Sequence, residues 1–193
     1  IGHIQGLWLL DDKPMKAAAS EAIWETENPA SFSVIALFDE NGNEIWSLHI
    51  PRALSFLYYF RWEGEVEGIH PIQSEYEAQY GPGDYIPPVW LVYYSFRIMV
   101  AAGFAMLALA AYAAYFVVRK KVGGNIRWLG LFPWAMALPY IANTFGWIMT
   151  EVGRQPFAVY GLLRTEDSVS PGLTSGMVLM SLTGFTLIYL ILL

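Results

Sequence analysis

Three small groups of side chains in this 193-residue sequence could do chemistry. Arg97 and Met99 stand together in Tyr94-Ser95-Phe96-Arg97-Ile98-Met99-Val100, a guanidinium that holds anions and a thioether that is a soft, neutral metal ligand. Two positions along a helix lie about 200° apart, so both serve one site only if Arg97 bends round the helix; otherwise Met99 alone faces in. As ordinary residues, Met99 is apolar filler and Arg97 snorkels to headgroups. The second group is Trp147, Glu151 and Arg154, within Gly146-Trp147-Ile148-Met149-Thr150-Glu151-Val152-Gly153-Arg154-Gln155-Pro156-Phe157. Trp147 and Glu151 are four apart and share a face, setting an aromatic plate one turn from a carboxylate that can ligate iron, take a proton or simply pair with Arg154. The third group is Lys16, Glu21 and Glu25. Glu21 and Glu25 are helical neighbours, whereas Lys16 and Glu21, about 140° apart, flank one groove without stacking; a solvated charged face is the ordinary reading. His3, His49 and His70 share no helical spacing and read as surface imidazoles, and no phosphate loop, nucleophile elbow or HExxH motif is present.

The elements that must position these groups divide near Pro87-Pro88. Residues 1–88 carry 14 of the 17 acidic side chains and four bases, a local net charge of minus ten, and read as a water-facing segment. Beyond them lie three stretches of 21 residues without a charge, Ile98 to Val118, Leu129 to Met149 and Leu173 to Leu193. At about 1.5 Å of rise per residue each spans the roughly 30 Å hydrocarbon core. The expected fold is an all-α integral membrane protein with transmembrane helices over about 89–118, 129–151 and 173–193, parts of a larger bundle. Loop 119–128 holds four bases and no acid, so the positive-inside rule makes it cytoplasmic and puts residues 1–88 outside. Trp90, Tyr93, Tyr94 and Phe96 at one end, with Trp128, Phe132 and Trp134 at the other, fit interfacial aromatic belts. Pro133 and Pro139 bend the second helix. In the outer segment, Pro14 to Trp24 reads as a short helix stopped by Asn28-Pro29. Phe32 to Phe38 and Glu44 to Ile50 read as a hairpin about an Asn-Gly turn, and Trp62 to Pro88 as an irregular loop.

Composition removes several classes. The chain is 55% hydrophobic and 15% charged, with mean hydropathy +0.38, well away from the roughly 25% charged residues of soluble domains. A net charge of minus six offers nucleic acid no electrostatic footprint. Without cysteine, any metal must be held by His, Met, carboxylate or a cofactor. The start at Ile1-Gly2-His3 does not read as a signal peptide, and both ends read as cuts in a longer polypeptide.

Taken in this order and topology, the three groups resemble subunit I of the cytochrome bd ubiquinol oxidases over essentially the whole chain, matching that family's C-terminal half. The run from Lys16 to Glu21 followed by Trp24-Glu25-Thr26 resembles the start of the family's extracytoplasmic quinol-binding loop. Phe96-Arg97-Ile98-Met99-Val100 resembles the helix that gives methionine to the low-spin haem b. Gly153-Arg154-Gln155-Pro156 resembles a family signature that ordinarily ends in Trp where this chain has Phe157. The resemblance implies that Met99 ligates the low-spin haem b, with Arg97 beside it as partner of a haem propionate. It implies that Glu151 ligates a high-spin haem, either haem b or haem d, with Trp147 packed between haems and Arg154 near haem carboxylates. Lys16 and Glu21 would bind and deprotonate quinol.

The implied activity is quinol:O2 oxidoreduction in a bacterial or archaeal cytoplasmic membrane. Quinol protons would be discharged outside while O2 reduction draws protons from inside, so charge is separated across the membrane. Implied partners are membrane lipid, a second oxidase subunit and the N-terminal helices that carry the family's histidine ligands. The stretch from Ile50 to Pro88 is short for the quinol loop. The alternatives are a non-redox transporter or scaffold segment, or a cyanide-insensitive relative with only b-type haems.

Overall fold

The computed structural model describes residues 2–39, 42, 44–119 and 130–192; most of the basic loop 119–128, together with Trp128 and Leu129, lies outside them. The chain opens with α1 (Gly2–Asp12) and α2 (Pro14–Glu21). Pro14 occupies the first helical position, where a missing N–H costs nothing. The second helix ends sooner than the sequence predicts. Ala22 adopts a left-handed conformation (φ 55°) and its N–H reaches back to the Ala18 and Ala19 carbonyls, so Asn28-Pro29 is not the stop. Glu25 therefore lies off the helix, not one turn beyond Glu21. The reason is tertiary: the chain must leave α2 here to lie beside residues 66–70. Glu27 and Val66 exchange backbone hydrogen bonds, and the N–H groups of Ile69 and His70 donate to the Ile23 and Trp24 carbonyls.

Between these pairings the hairpin forms over the expected residues, β1 (Phe32–Phe38) antiparallel to β2 (Glu44–Ile50), with Ile35 opposite Leu48 and Leu37 opposite Trp46. Two further helices were not anticipated, α3 (Ala53–Tyr59) and α4 (Ile69–Tyr80). The stretch read as an irregular loop thus contains a twelve-residue helix. Its buried face is Ile69, Ile72 and Tyr76, a helical spacing hidden among Pro, Glu and Gln. Leu54 of α3 joins Ile23, Ala30 and Val66 in a small core under the outer segment.

The first of the long apolar stretches lies in one continuous helix, α5 (Val89–Val118), over the expected residues. The second apolar stretch is broken at Met136 into α6 (Phe132–Ala135) and α7 (Ala137–Val152). Pro139 has no N–H for the Ala135 carbonyl and its ring crowds that oxygen, so the helix parts one residue later. With 16 residues, α7 is about 24 Å long, short of the hydrocarbon core. Among the described residues two helices, α5 and α8 (Ser175–Leu192), are long and apolar enough to cross a membrane; the second stretch, which Pro133 and Pro139 were expected to bend, is the interrupted one. Residues 1–156 form one compact unit, in which α7 packs along α5. The other, residues 157–193, holds α8, a small antiparallel pair, β3 (Phe157–Val159) and β4 (Leu163–Arg164), and a 3-10 turn at Glu166–Ser168. Trp90 and Trp134 are exposed, whereas Tyr93 is buried and its hydroxyl pairs with Ser33 at 3.0 Å.

At Gly68 the chain closes tightly on backbone: a β-carbon there would stand 2.4 Å from the Glu25 carbonyl carbon and 2.6 Å from the Trp24 oxygen. Since both neighbours are backbone, neither can swing aside. Gly68→Ala is expected to destabilise the detergent-purified full-length protein by about 1–3 kcal/mol, seen as a lowered thermal-unfolding midpoint.

Candidate functional site

Three elements meet at the Arg97 guanidinium. Its Nη2 donates to Glu21 Oε2 at 2.7 Å and to the Ser33 carbonyl at 2.5 Å, joining α2 and β1 to α5. The rings of Tyr93 and Phe32 lie 4.5 and 4.6 Å from the guanidinium carbon, in cation–π range. Glu21 is 4% exposed, so the expectation of a solvated charged face fails: α2 lies against α5 and α4 with Lys16, Ser20 and Glu21 all buried. Three successive alanines, Ala17 to Ala19, allow that approach. Burial pushes the Glu21 carboxyl above its ordinary value, and Arg97 pulls it part of the way back. The same burial, with the Glu21 charge nearby, raises the Tyr58 hydroxyl. Arg97 Nε is buried with no hydrogen-bond partner among the described residues.

Met99 points elsewhere. A β-carbon on Gly146 of α7 would stand 2.9 Å from Met99 Sδ, so the thioether occupies the space that Gly146 leaves between α5 and α7. Arg97 and Met99 thus serve different surroundings, and of the two only Met99 faces α7. On α7 itself, Gly146, Met149 and Gly153 share a helix face. Trp147 and Glu151 follow about 100° round on the next face, and Arg154 lies just past the helix end. There Arg154 Nη2 pairs with Glu151 Oε2 at 2.5 Å, the interfacial pairing that the spacing allowed, while Trp147 is 65% exposed.

Lys16 parts company with Glu21. Its stem packs at the end of α7, where a β-carbon on Gly153 would stand 3.0 Å from Lys16 Cγ. Burial chiefly lowers its pKa, Lys13 adds to this, and Glu151 opposes it. So α2 spans the mouth of the helix pair, with Lys16 over α7 and Glu21 against α5. Glu25 pairs instead with His70, Nδ1 to Oε1 at 2.7 Å, and the His70 ring lies 5.4 Å from that of Trp24. No spacing in the sequence links Glu25 to His70, because the backbone pairing of residues 23–27 with 66–70 creates the contact.

With this geometry in hand, comparison with known proteins is decisive. All of residues 1–193 match the family model described as cytochrome bd terminal oxidase subunit I. The chain belongs to that family. It is 44% identical over 194 residues to the cytochrome bd ubiquinol oxidase subunit 1 of Bacillus subtilis, using 99% of this chain and 41% of the relative. It is 37% identical to the cytochrome bd-II ubiquinol oxidase subunit 1 of Escherichia coli, over 88% of this chain and 44% of the relative. Among solved structures, the bd oxidase of Geobacillus thermodenitrificans superposes with a TM-score of 0.79 at 30% identity, covering 99% of this chain and 41% of the other. The chain therefore spans about two fifths of the length of these relatives.

Within this family member the Glu21–Arg97 pair can be tested by thermal unfolding of the full-length protein. Removing one partner of a buried pair costs about 3–5 kcal/mol, so Arg97→Gln is strongly destabilising and Glu21→Gln in the same chain recovers a large part of the loss. The raised Glu21 carboxyl means that the folded chain holds a proton at pH values where the unfolded chain has released it. Its contribution to stability is full below the ordinary value of 4.5 and declines as pH rises through the folded value, and Glu21→Gln flattens that decline.

Proposed function

We propose that this chain is the quinol-side and haem-holding part of a respiratory quinol:O2 oxidoreductase, with residues 1–88 outside a bacterial membrane, residues 89–193 forming its haem-binding helices, and three membrane crossings. Membership of the family favours this over a transporter or scaffold. The observation that carries the reading is the separation of two donor groups: Met99 Sδ, half-buried against Gly146 between α5 and α7, and Glu151 on the neighbouring face of α7.

These residues suit a haem better than a bare ion. Among the described residues no three of His, Cys, Asp and Glu gather to hold a metal. A porphyrin brings four nitrogens of its own and asks for only one or two protein ligands. Met99 would hold the low-spin haem b, and any further ligand would come from the rest of the protein. Glu151 would hold a high-spin haem b or haem d, with Trp147 as a packing plate beside it. When bound, haem supplies one-electron redox chemistry and, at a high-spin iron, the place where O2 is reduced to water.

The chain's own residues do the rest. Arg97 and Arg154 supply positive charge for haem carboxylates, and Arg154 also orients Glu151. Glu21, its carboxyl raised by burial, is equipped to accept the proton that quinol releases on oxidation, and Arg97 at 2.7 Å steadies the carboxylate before the proton arrives. Lys16 contributes a cation at the same mouth, with its ammonium made easier to deprotonate by burial. Protons taken up by Glu21 leave on the outer side. A second subunit and the N-terminal part of subunit I would complete the enzyme.

Reduced-minus-oxidised spectra of membranes containing the full-length oxidase test the ligand assignment. Met99→Leu keeps the volume without the sulfur, and the low-spin haem b band is expected to vanish while high-spin haem remains; an unchanged band would make Met99 mere filler. Gly146→Ala is expected to weaken that band without unfolding the protein, because its β-carbon meets the flexible end of Met99. For the proton acceptor, Glu21→Gln should slow quinol-driven oxygen uptake by about 10²-fold or more with spectra unaltered. Unchanged turnover would remove Glu21 from the mechanism.

A further inference from the structure

The two faces of the β1–β2 hairpin are unlike each other. The face carrying Ser33, Ala36 and Phe38 is turned to α5. Ser33 pairs with Tyr93, the Ala36 carbonyl accepts from the Tyr94 hydroxyl at 2.9 Å, and the Phe38 ring meets both tyrosine rings edge-on. The opposite face carries Ile35 and Leu37, cross-strand from Leu48 and Trp46, with Ile50 next in the alternation of β2. All five are about half exposed, between 49% and 53%. A surface hairpin normally alternates apolar inward and polar outward. Here the outward face holds large apolar side chains without a charge, which calls for an apolar neighbour.

The position of the hairpin along α5 says which neighbour. The charge-free part of α5, Ile98 to Val118, rises about 32 Å and by itself fills the hydrocarbon core. Residues 89–97 then rise about 13 Å through the outer headgroup layer and beyond. The hairpin lies along this segment. A β-carbon on Gly42, at its turn, would stand 3.3 Å from Trp90, Phe38 packs at Tyr93 and Tyr94, and the Ser33 carbonyl is held by Arg97. Its Ser33 end therefore lies at headgroup depth, while its turn beside Trp90 stands further out. It cannot sink further, because a two-stranded sheet has open edges whose N–H and C=O groups need water. A tryptophan among aliphatic neighbours at this depth is the composition that favours the membrane interface.

We propose that the outward face of the hairpin, Ile35, Leu37, Trp46, Leu48 and Ile50, is seated in the outer leaflet, a lipid-binding surface that anchors the outer segment to the bilayer. This rests on the reading of α5 as a membrane-crossing helix with its Trp90 end outside.

The test places a nitroxide on Leu48→Cys, and separately on Ile35→Cys, in the full-length oxidase free of other cysteines and reconstituted in phospholipid nanodiscs. Collisions with O2, which partitions into lipid, are compared with those of a water-soluble nickel chelate, and a label at the exposed Glu75 of α4 gives the aqueous reference. The expected result is an O2-to-nickel collision ratio several-fold above that at Glu75 for both hairpin labels. A ratio like that of Glu75 would put the face in water and overturn the proposal. Protection from both reagents would mean that protein covers it, whether the remainder of subunit I or a second subunit, and would overturn it equally. The readout needs no turnover, so failure of the oxidase reading, seen as native membranes without haem, is a separate result.

Discussion

The buried ion pair between Glu21 and Arg97 is the constraint around which the outer half of this chain is arranged. A carboxylate that is 4% exposed can be kept there only if a cation meets it, and Arg97 is itself fixed by the Ser33 carbonyl and by the aromatic faces of Tyr93 and Phe32. One guanidinium thus ties the short α2 helix, the first hairpin strand and the membrane helix α5 into a single contact. Such a pair adds little net stability over apolar packing, but it penalises every arrangement that separates its members. Its worth is in specifying which elements meet.

Close approach makes the pair possible. The alanine run of α2 lets that helix lie on α5, and Gly68 lets the start of α4 touch the backbone at Trp24 and Glu25. Within the helix pair, Gly146 leaves room for the Met99 thioether and Gly153 for the stem of Lys16. Gly146 and the cap residue Gly153 face the partners of α7, while Trp147 and Glu151 lie on its adjoining face, with Arg154 just past the helix end. One helix thereby separates a packing surface from a chemically equipped one.

That separation bears on the proposed chemistry. Lys16 and Glu21 are five residues apart on one short helix, yet one sits by Gly153 and the other by Arg97. A quinol arriving at this mouth would meet a carboxyl raised by burial on one side and an ammonium lowered by burial on the other. Burial raises the one and lowers the other, so in both groups it favours the uncharged form. The α2 helix thus lies across α5 and α7, with Glu21 against the one and Lys16 against the other.

Much of this was legible in the residues themselves. Charge-free stretches, the hairpin from Phe32 to Ile50 and the motifs around Met99 and Glu151 are local patterns, and local patterns follow from chain chemistry: alternation, helix period, and the absence of charge over 21 residues. The family, too, could be read from them, and the match over residues 1–193 bears it out. What sequence could not supply was whatever depends on contacts distant along the chain. The early end of α2 at Ala22, the burial of Lys16 and Glu21, the pairing of Glu25 with His70 and the parting of Arg97 from Met99 all arise where separated segments press together. A charged side chain on a short helix carries no local sign of whether it will meet water or a guanidinium 76 residues further on, because burial belongs to the packed assembly and not to the residue.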